Sequence, residues 1–169
     1  MMRFPPALAI PFDLVPVPIA ERTANMLLQR LVRRHPGLFE RLGEHKSKRY
    51  AFRPIDLPFV FVVAPADEEV TVLRGDAADG ADASVEGPFF MLLALMEGRL
   101  DGDALFFSRD LAISGDMEAM LALRNALDDC DIDLPTDLST LAGPFAPVVA
   151  RTAARIRGKV LFEEPRSWS

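Results

Sequence analysis

Apolar positions recur at helical spacing between residues 19 and 34. Ile19, Ala20, Ala24, Leu27, Leu28, Leu31 and Val32 fall on one side, with Arg22, Gln29, Arg30, Arg33 and Arg34 mostly on the other. This pattern predicts an amphipathic helix that stops before Pro36, because a residue preceding proline is pushed out of the helical region. A shorter helix is expected over 36–43. Beyond it the apolar stretches shorten and Pro, Asp and Gly separate them, including the pair Asp79-Gly80. Four short strands are expected, over 48–53, 58–64, 69–74 and 82–86, and a fifth over 105–114. Short links between the first four favour antiparallel neighbours, and a helix over 88–96 supplies the crossover to the fifth. The pattern as a whole predicts an α+β sheet with helices on one face.

The stretch 105–129 runs from strand through a turn into a long helix without a break. Phe107, Leu111 and Ile113 occupy odd positions of the strand, Gly115 frees the backbone for a sharp turn, and Asp116 is placed to cap the helix. Met120, Leu121, Leu123, Ala126 and Leu127 then return at helical spacing.

Residues 89–96, Phe-Phe-Met-Leu-Leu-Ala-Leu-Met, are apolar all round, so no side of such a helix can face water uncovered. A fully buried core helix satisfies that demand. So does a helix with one side on the sheet and the other lining a cavity. Met91, Met96, Met117 and Met120 would give a cavity wall adaptable shape.

Composition sharpens this picture. The 169 residues suit a single domain able to bury a core without covalent staples, and 50% hydrophobic content is high for a chain with 26% charged residues. Three parts are expected: an N-terminal arm with basic helices over 1–45, a core over 46–130, and C-terminal helices with a tail over 131–169. Prolines 5, 6, 11, 16 and 18 interrupt the first apolar run, so no export signal is expected. The apolar run 88–96 is far short of the roughly 20 residues that span a bilayer. The formal net charge of −6 is segregated: residues 1–53 and 151–169 together carry +9 and residues 54–150 carry −15. Basic ends suit an anionic surface, whether lipid head groups or an acidic protein, or else neutralise the acidic centre within the fold. A helix over 145–157 sets Phe145, Val148, Val149, Ala153 and Ile156 beside Arg151, Arg155, Arg157 and Lys159, a pattern open to membrane contact, a lid or ordinary packing; Trp168 follows near the end.

Catalytic parts are missing from the pattern. His35 and His45 lack the spacing of a zinc site, and no phosphate-binding glycine loop, dinucleotide fingerprint or nucleophile elbow is present. The carboxylate clusters fall in expected turns. Cys130 sits in an acidic run, which disfavours its thiolate, and a lone cysteine suits a reducing cytoplasm. Only Tyr50 and Phe52 stand among basic residues, and the acidic remainder would repel phosphate, so no nucleic-acid partner is expected.

The order Phe107, Leu111, Ile113, Gly115, Asp116 and then a helix resembles the late strand and helix of the sterol carrier protein type-two family. Within that family Arg109, Leu111, Ile113, Gly115, Asp116, Glu118, Asn125, Leu127 and Asp128 fall in the order of the UbiT-like accessory factors of ubiquinone biosynthesis. Pro54-Ile55-Asp56-Leu57-Pro58-Phe59 is a second matching block, and Met117 departs from the Thr expected there. The resemblance covers about residues 48–130. It implies a sterol-carrier-like, five-stranded, mostly antiparallel sheet covered by helices around an apolar tunnel. The implied role is non-enzymatic and needs no cofactor: lipid-binding Phe89, Phe90, Leu93, Met96, Phe107 and Met120 would hold isoprenoid quinone precursors, or a phospholipid or fatty-acyl chain. Implied partners are UbiU and UbiV, and the implied location is cytoplasmic and peripheral to the inner membrane. A homodimer and a plain protein-interaction module stay open.

Overall fold

The computed structural model describes residues 14–75, 80–96, 110–130 and 132, apart from the side chain of Phe90. All of them fall in the first of two compact units, Met1–Ile132 and Asp133–Ser169. The expected arm before residue 14, the first part of the fifth strand with Phe107, the helix over 145–157 and Trp168 lie outside the described residues.

Helix α1 spans Val17–Arg34, with a proline in its first turn and Arg33 and Arg34 in its last, where they complement the helix dipole. Leu28 and Leu31 are buried, but Ile19 is 58% exposed, which corrects its expected place in the buried stripe. The short helix expected over 36–43 is instead a turn leading into a 3₁₀ segment, Glu40–Ser47, kinked where Gly43 takes φ +55°. That segment is anchored by the buried side chains of Leu38, Phe39 and Leu42.

The strands are β1 Tyr50–Pro54, β2 Phe59–Ala64, β3 Glu69–Arg74, β4 Ala83–Gly87 and β5 Ala112–Gly115, within a residue or two of expectation wherever described. The sheet order is β3-β2-β1-β4-β5. Three of the pairings are antiparallel, but β4 lies parallel to β1 instead of antiparallel to β3. Parallel neighbours need a long crossover, and here the β2–β3 hairpin itself provides it.

The outer edge of β3 is closed to a further strand by α1. Asn25 presents its side-chain amide as a substitute peptide group: Oδ1 accepts from the Val70 N–H at 2.8 Å and Nδ2 donates to the Val70 carbonyl at 2.6 Å. The Glu21 carboxylate accepts from the Val72 N–H at 2.8 Å, and Gln29 donates to the Glu68 carbonyl at 3.0 Å. Side chains thus satisfy edge groups that would otherwise template another chain. The entry to β4 is tied to β1, where the Asp82 carboxylate accepts from the Arg49 N–H at 2.7 Å and the Arg49 carbonyl accepts from the Asp82 N–H at 2.9 Å.

Alternation along β1 gives the sheet two apolar faces. Ala51, with Val60 and Val62 of β2, forms a buried cluster on one. Tyr50 and Phe52 point to the other, where helix α2, Phe89–Met96, and helix α3, Met117–Asp128, pack.

Candidate functional site

Helix α2 begins against the loop after β1. The Phe89 N–H donates to Asp56 Oδ1 at 2.9 Å, and the Pro88 carbonyl accepts from the N–H groups of Met91 and Leu92. Asp56, in the second block noted in the sequence, therefore fixes where the apolar helix starts. Leu92 and Leu95 are buried in the interior. Phe89, Met91, Leu93, Ala94 and Met96 are half-buried.

Helix α3 starts at the expected glycine-aspartate turn. Gly115 holds φ +83°, and the Asp116 N–H donates to the Asp82 carbonyl at 2.8 Å, so the turn is pinned to β4. Asp116 Oδ1 then accepts from the Ala119 N–H at 3.0 Å, while its Oδ2 lies 3.4 Å from Lys48 Nζ. The Ala119 hydrogen bond first, with help from Lys48 and His45, holds the Asp116 carboxyl below its ordinary range. Beside it the buried Tyr50 hydroxyl donates to the His45 carbonyl at 3.0 Å; burial, and after it the charges of Asp116 and Asp82, push its pKa up to about 12. Ala119, Met120, Leu123, Ala126 and Leu127 are buried on the inner face of α3, whereas Met117 and Leu121 are 50% and 46% exposed.

Between the sheet and these helices lies a cavity of about 10 Å³, lined by Phe52, Leu95, Ile113, Met120, Leu123, Arg124 and Leu127. Six of the seven are apolar. The volume is room for about one water, so the helices are closed down upon the sheet. Of the six contacts expected from sequence, Met120 lines this cavity. Phe89, Leu93 and Met96 sit half-buried on α2, and Phe107 and the side chain of Phe90 lie outside the described residues.

Phe52, Leu95, Ile113, Leu123 and Leu127 look in sequence like ordinary core, and only the pairing of strands with helices gathers them. Arg124 carried a local signal, as the lone basic residue in the run Met-Leu-Ala-Leu-Arg-Asn-Ala-Leu. Among the described residues no group of three or more His, Cys, Asp or Glu side chains could hold a metal ion. Burial pushes the half-buried Cys130 thiol above its ordinary range.

This arrangement defines an α+β protein that closes two helices over the apolar face of a mixed sheet. The chain belongs to the SCP-2 sterol transfer family, which it matches over residues 27–128. No curated protein matches it. Among solved structures it is similar to a "UbiJ-SCP2 Ubiquinone synthesis protein", with a TM-score of 0.56 and 22% identity over 70% of this chain and 98% of that one. At that identity the shared property is the fold. It is also similar to the sterol carrier protein domain 2 of Helicoverpa armigera, with a TM-score of 0.46 and 18% identity over 64% of this chain and 86% of that one. The sec-alkylsulfatase Pisa1 from Pseudomonas sp. scores 0.44 at 17% identity, over 53% of this chain and 14% of the enzyme.

Proposed function

We propose that this protein is a non-enzymatic lipid-binding accessory factor that holds the isoprenoid tail of ubiquinone precursors and presents their polar ring to separate enzymes. The observation that carries this reading is the apolar cavity beneath α2 and α3, in a chain that matches the SCP-2 sterol transfer family across that region. Similarity of fold to a ubiquinone synthesis protein supports the choice of pathway. The order of residues from Arg109 to Asp128 supports the UbiT-like subgroup, and with it UbiU and UbiV as partners in oxygen-independent synthesis.

A tail of several isoprene units exceeds a cavity of about 10 Å³ many times over, so loading parts α2 from α3. Helix α2 is suited to move because its eight residues are too few to be stable without packing. Apolar burial repays the opening at about 25 cal/mol per Å² removed from water. Phe89, Leu93, Met96 and Met120 then contact the tail. Among the described residues no helix is long and apolar enough to cross a membrane, and the reading places the protein in the cytoplasm, peripheral to its lipid source.

Mass spectrometry of organic extracts from the gently purified protein, beside an unrelated protein, tests this. Co-purifying polyprenyl-phenols or quinones are expected. Phospholipid alone would replace the reading with a general lipid carrier. An extract that stays empty after lipid is offered in excess would refute lipid binding.

A further inference from the structure

One side of α1 is taken up by the β3 edge, and the opposite side faces outward. Ile19, Arg22, Met26, Arg30 and Arg33 follow at i, i+3, i+7, i+11 and i+14, which sets them on one narrow arc of the helix over about 21 Å. All five are exposed, Ile19 by 58% and Met26 by 47%, and Leu14, just before the helix, is 80% exposed. These are three of the six large apolar side chains that stand exposed among the described residues. Basic residues here could neutralise the acidic centre of the chain, but Arg22 and Arg33 make no ion pair among the described residues. Glu21 is the lone acidic residue between positions 14 and 39, and its carboxylate is turned inward onto the Val72 N–H. The Thr23 hydroxyl is turned back in the same way, donating to the Ile19 carbonyl at 2.9 Å. The acidic turn between β2 and β3 meets α1 at Gln29, on its sheet side.

We infer that the outer face of α1 is the surface by which this protein docks on a membrane containing anionic lipids. The inference rests on the lipid-binding reading above and names the surface from which the lipid is drawn. A helix seated this way lies in the plane of the interface. Leu14, Ile19 and Met26 enter the boundary between head groups and acyl chains, while the arginine stems follow that boundary and the guanidinium groups stay level with the phosphates. The mixture of side chains decides the partner. An acidic protein surface would pair with the arginines but set the three apolar side chains against charge, whereas an anionic bilayer takes both. No carboxylate on this arc opposes the head groups.

The test is flotation of the full chain with vesicles of phosphatidylcholine alone, or of phosphatidylcholine and phosphatidylglycerol in equal parts. The wild type is expected to float with the mixed vesicles and to stay off the neutral ones. Arg22→Gln with Arg33→Gln should weaken binding to the mixed vesicles about 25-fold, at about fivefold for each arginine, and Arg22→Lys with Arg33→Lys should retain it. Ile19→Ser with Met26→Ser should weaken it by about tenfold. Each of these side chains is exposed, so the urea midpoint and the binding of cis-parinaric acid offered without vesicles should match the wild type. A wild type that stays off the mixed vesicles, that floats equally with neutral ones, or that binds no more tightly than either the glutamine or the serine variant would overturn the docking face. Binding of cis-parinaric acid reads the lipid site separately: its absence alongside the expected flotation would overturn the lipid reading and leave the docking face standing.

Discussion

Replacing Asn25 by Ala uncovers the outer edge of β3, and the expected cost follows from the bonds removed. Asn25 accepts from the Val70 N–H at 2.8 Å and donates to the Val70 carbonyl at 2.6 Å, both in a partly buried setting. Each such bond contributes about 0.5–1.5 kcal/mol net, so the pair is worth about 2 kcal/mol. Alanine is the better helix former by up to about 0.7 kcal/mol, which offsets part of the loss. The balance is a destabilisation of about 1.5 kcal/mol, which for a chain of this length lowers Tm by about 3–6 °C. Asn25→Asp is the sharper probe, since it keeps the acceptor, removes the donor and turns a negative charge toward the Val70 carbonyl. Its deficit should equal or exceed that of Ala at neutral pH, and narrow as pH falls toward about 4, with the change complete below that value, as the carboxyl regains a proton to donate. Urea unfolding followed by circular dichroism gives the energies, and hydrogen exchange at the Val70 amide gives the location. An Asn25→Ala protein within about 0.5 kcal/mol of wild type, with unchanged Val70 protection, would refute the view that α1 seals this edge.

The glycine-aspartate turn yields two further expectations. A Cβ on Gly115 would collide with the Asp82 carbonyl oxygen and come within 3.1 Å of Ala83 Cα, both backbone atoms, whereas one on Gly37, also at positive φ, meets nothing within 4 Å. Gly37→Ala should therefore cost only the left-handed strain of about 1–2 kcal/mol, while Gly115→Ala displaces β4 from β5 and should cost clearly more, as their urea midpoints would show. The Asp116 carboxyl is held below its ordinary range in the folded state, so its contribution is complete above the unfolded-state pKa and is lost as pH falls through the folded one. The stability gap between wild type and Asp116→Ala should hold from pH 7 to about pH 5 and shrink below about pH 4; a gap constant down to pH 2.5 would rule out a charged cap.

Local signals marked most of the elements. The glycine-aspartate step before an apolar periodicity placed the start of α3, because a positive-φ turn and a side-chain cap involve only neighbouring residues. Strands β2 and β3 emerged as short stretches bounded by proline, aspartate and glycine, and the all-round apolar run became α2. The order of residues around the same turn pointed to the family that the chain matches over residues 27–128. What needed tertiary structure was every choice between partners distant along the chain. Asn25, Glu21 and Gln29 read as parts of a helix surface, and their role at the β3 edge exists only because α1 docks there. With that edge filled, β4 crosses to β1, which a preference for short links could not foresee. The cavity is a result of the same kind. Phe52 and Ile113 lie 61 positions apart and flank Val85 in adjacent strands, and their register, with the packing of α2 and α3, brings Leu95, Met120 and Arg124 around one space. Amphipathic periodicity says that a side chain is covered; which groups cover it depends on strand order and helix docking, and those are settled by the whole chain at once.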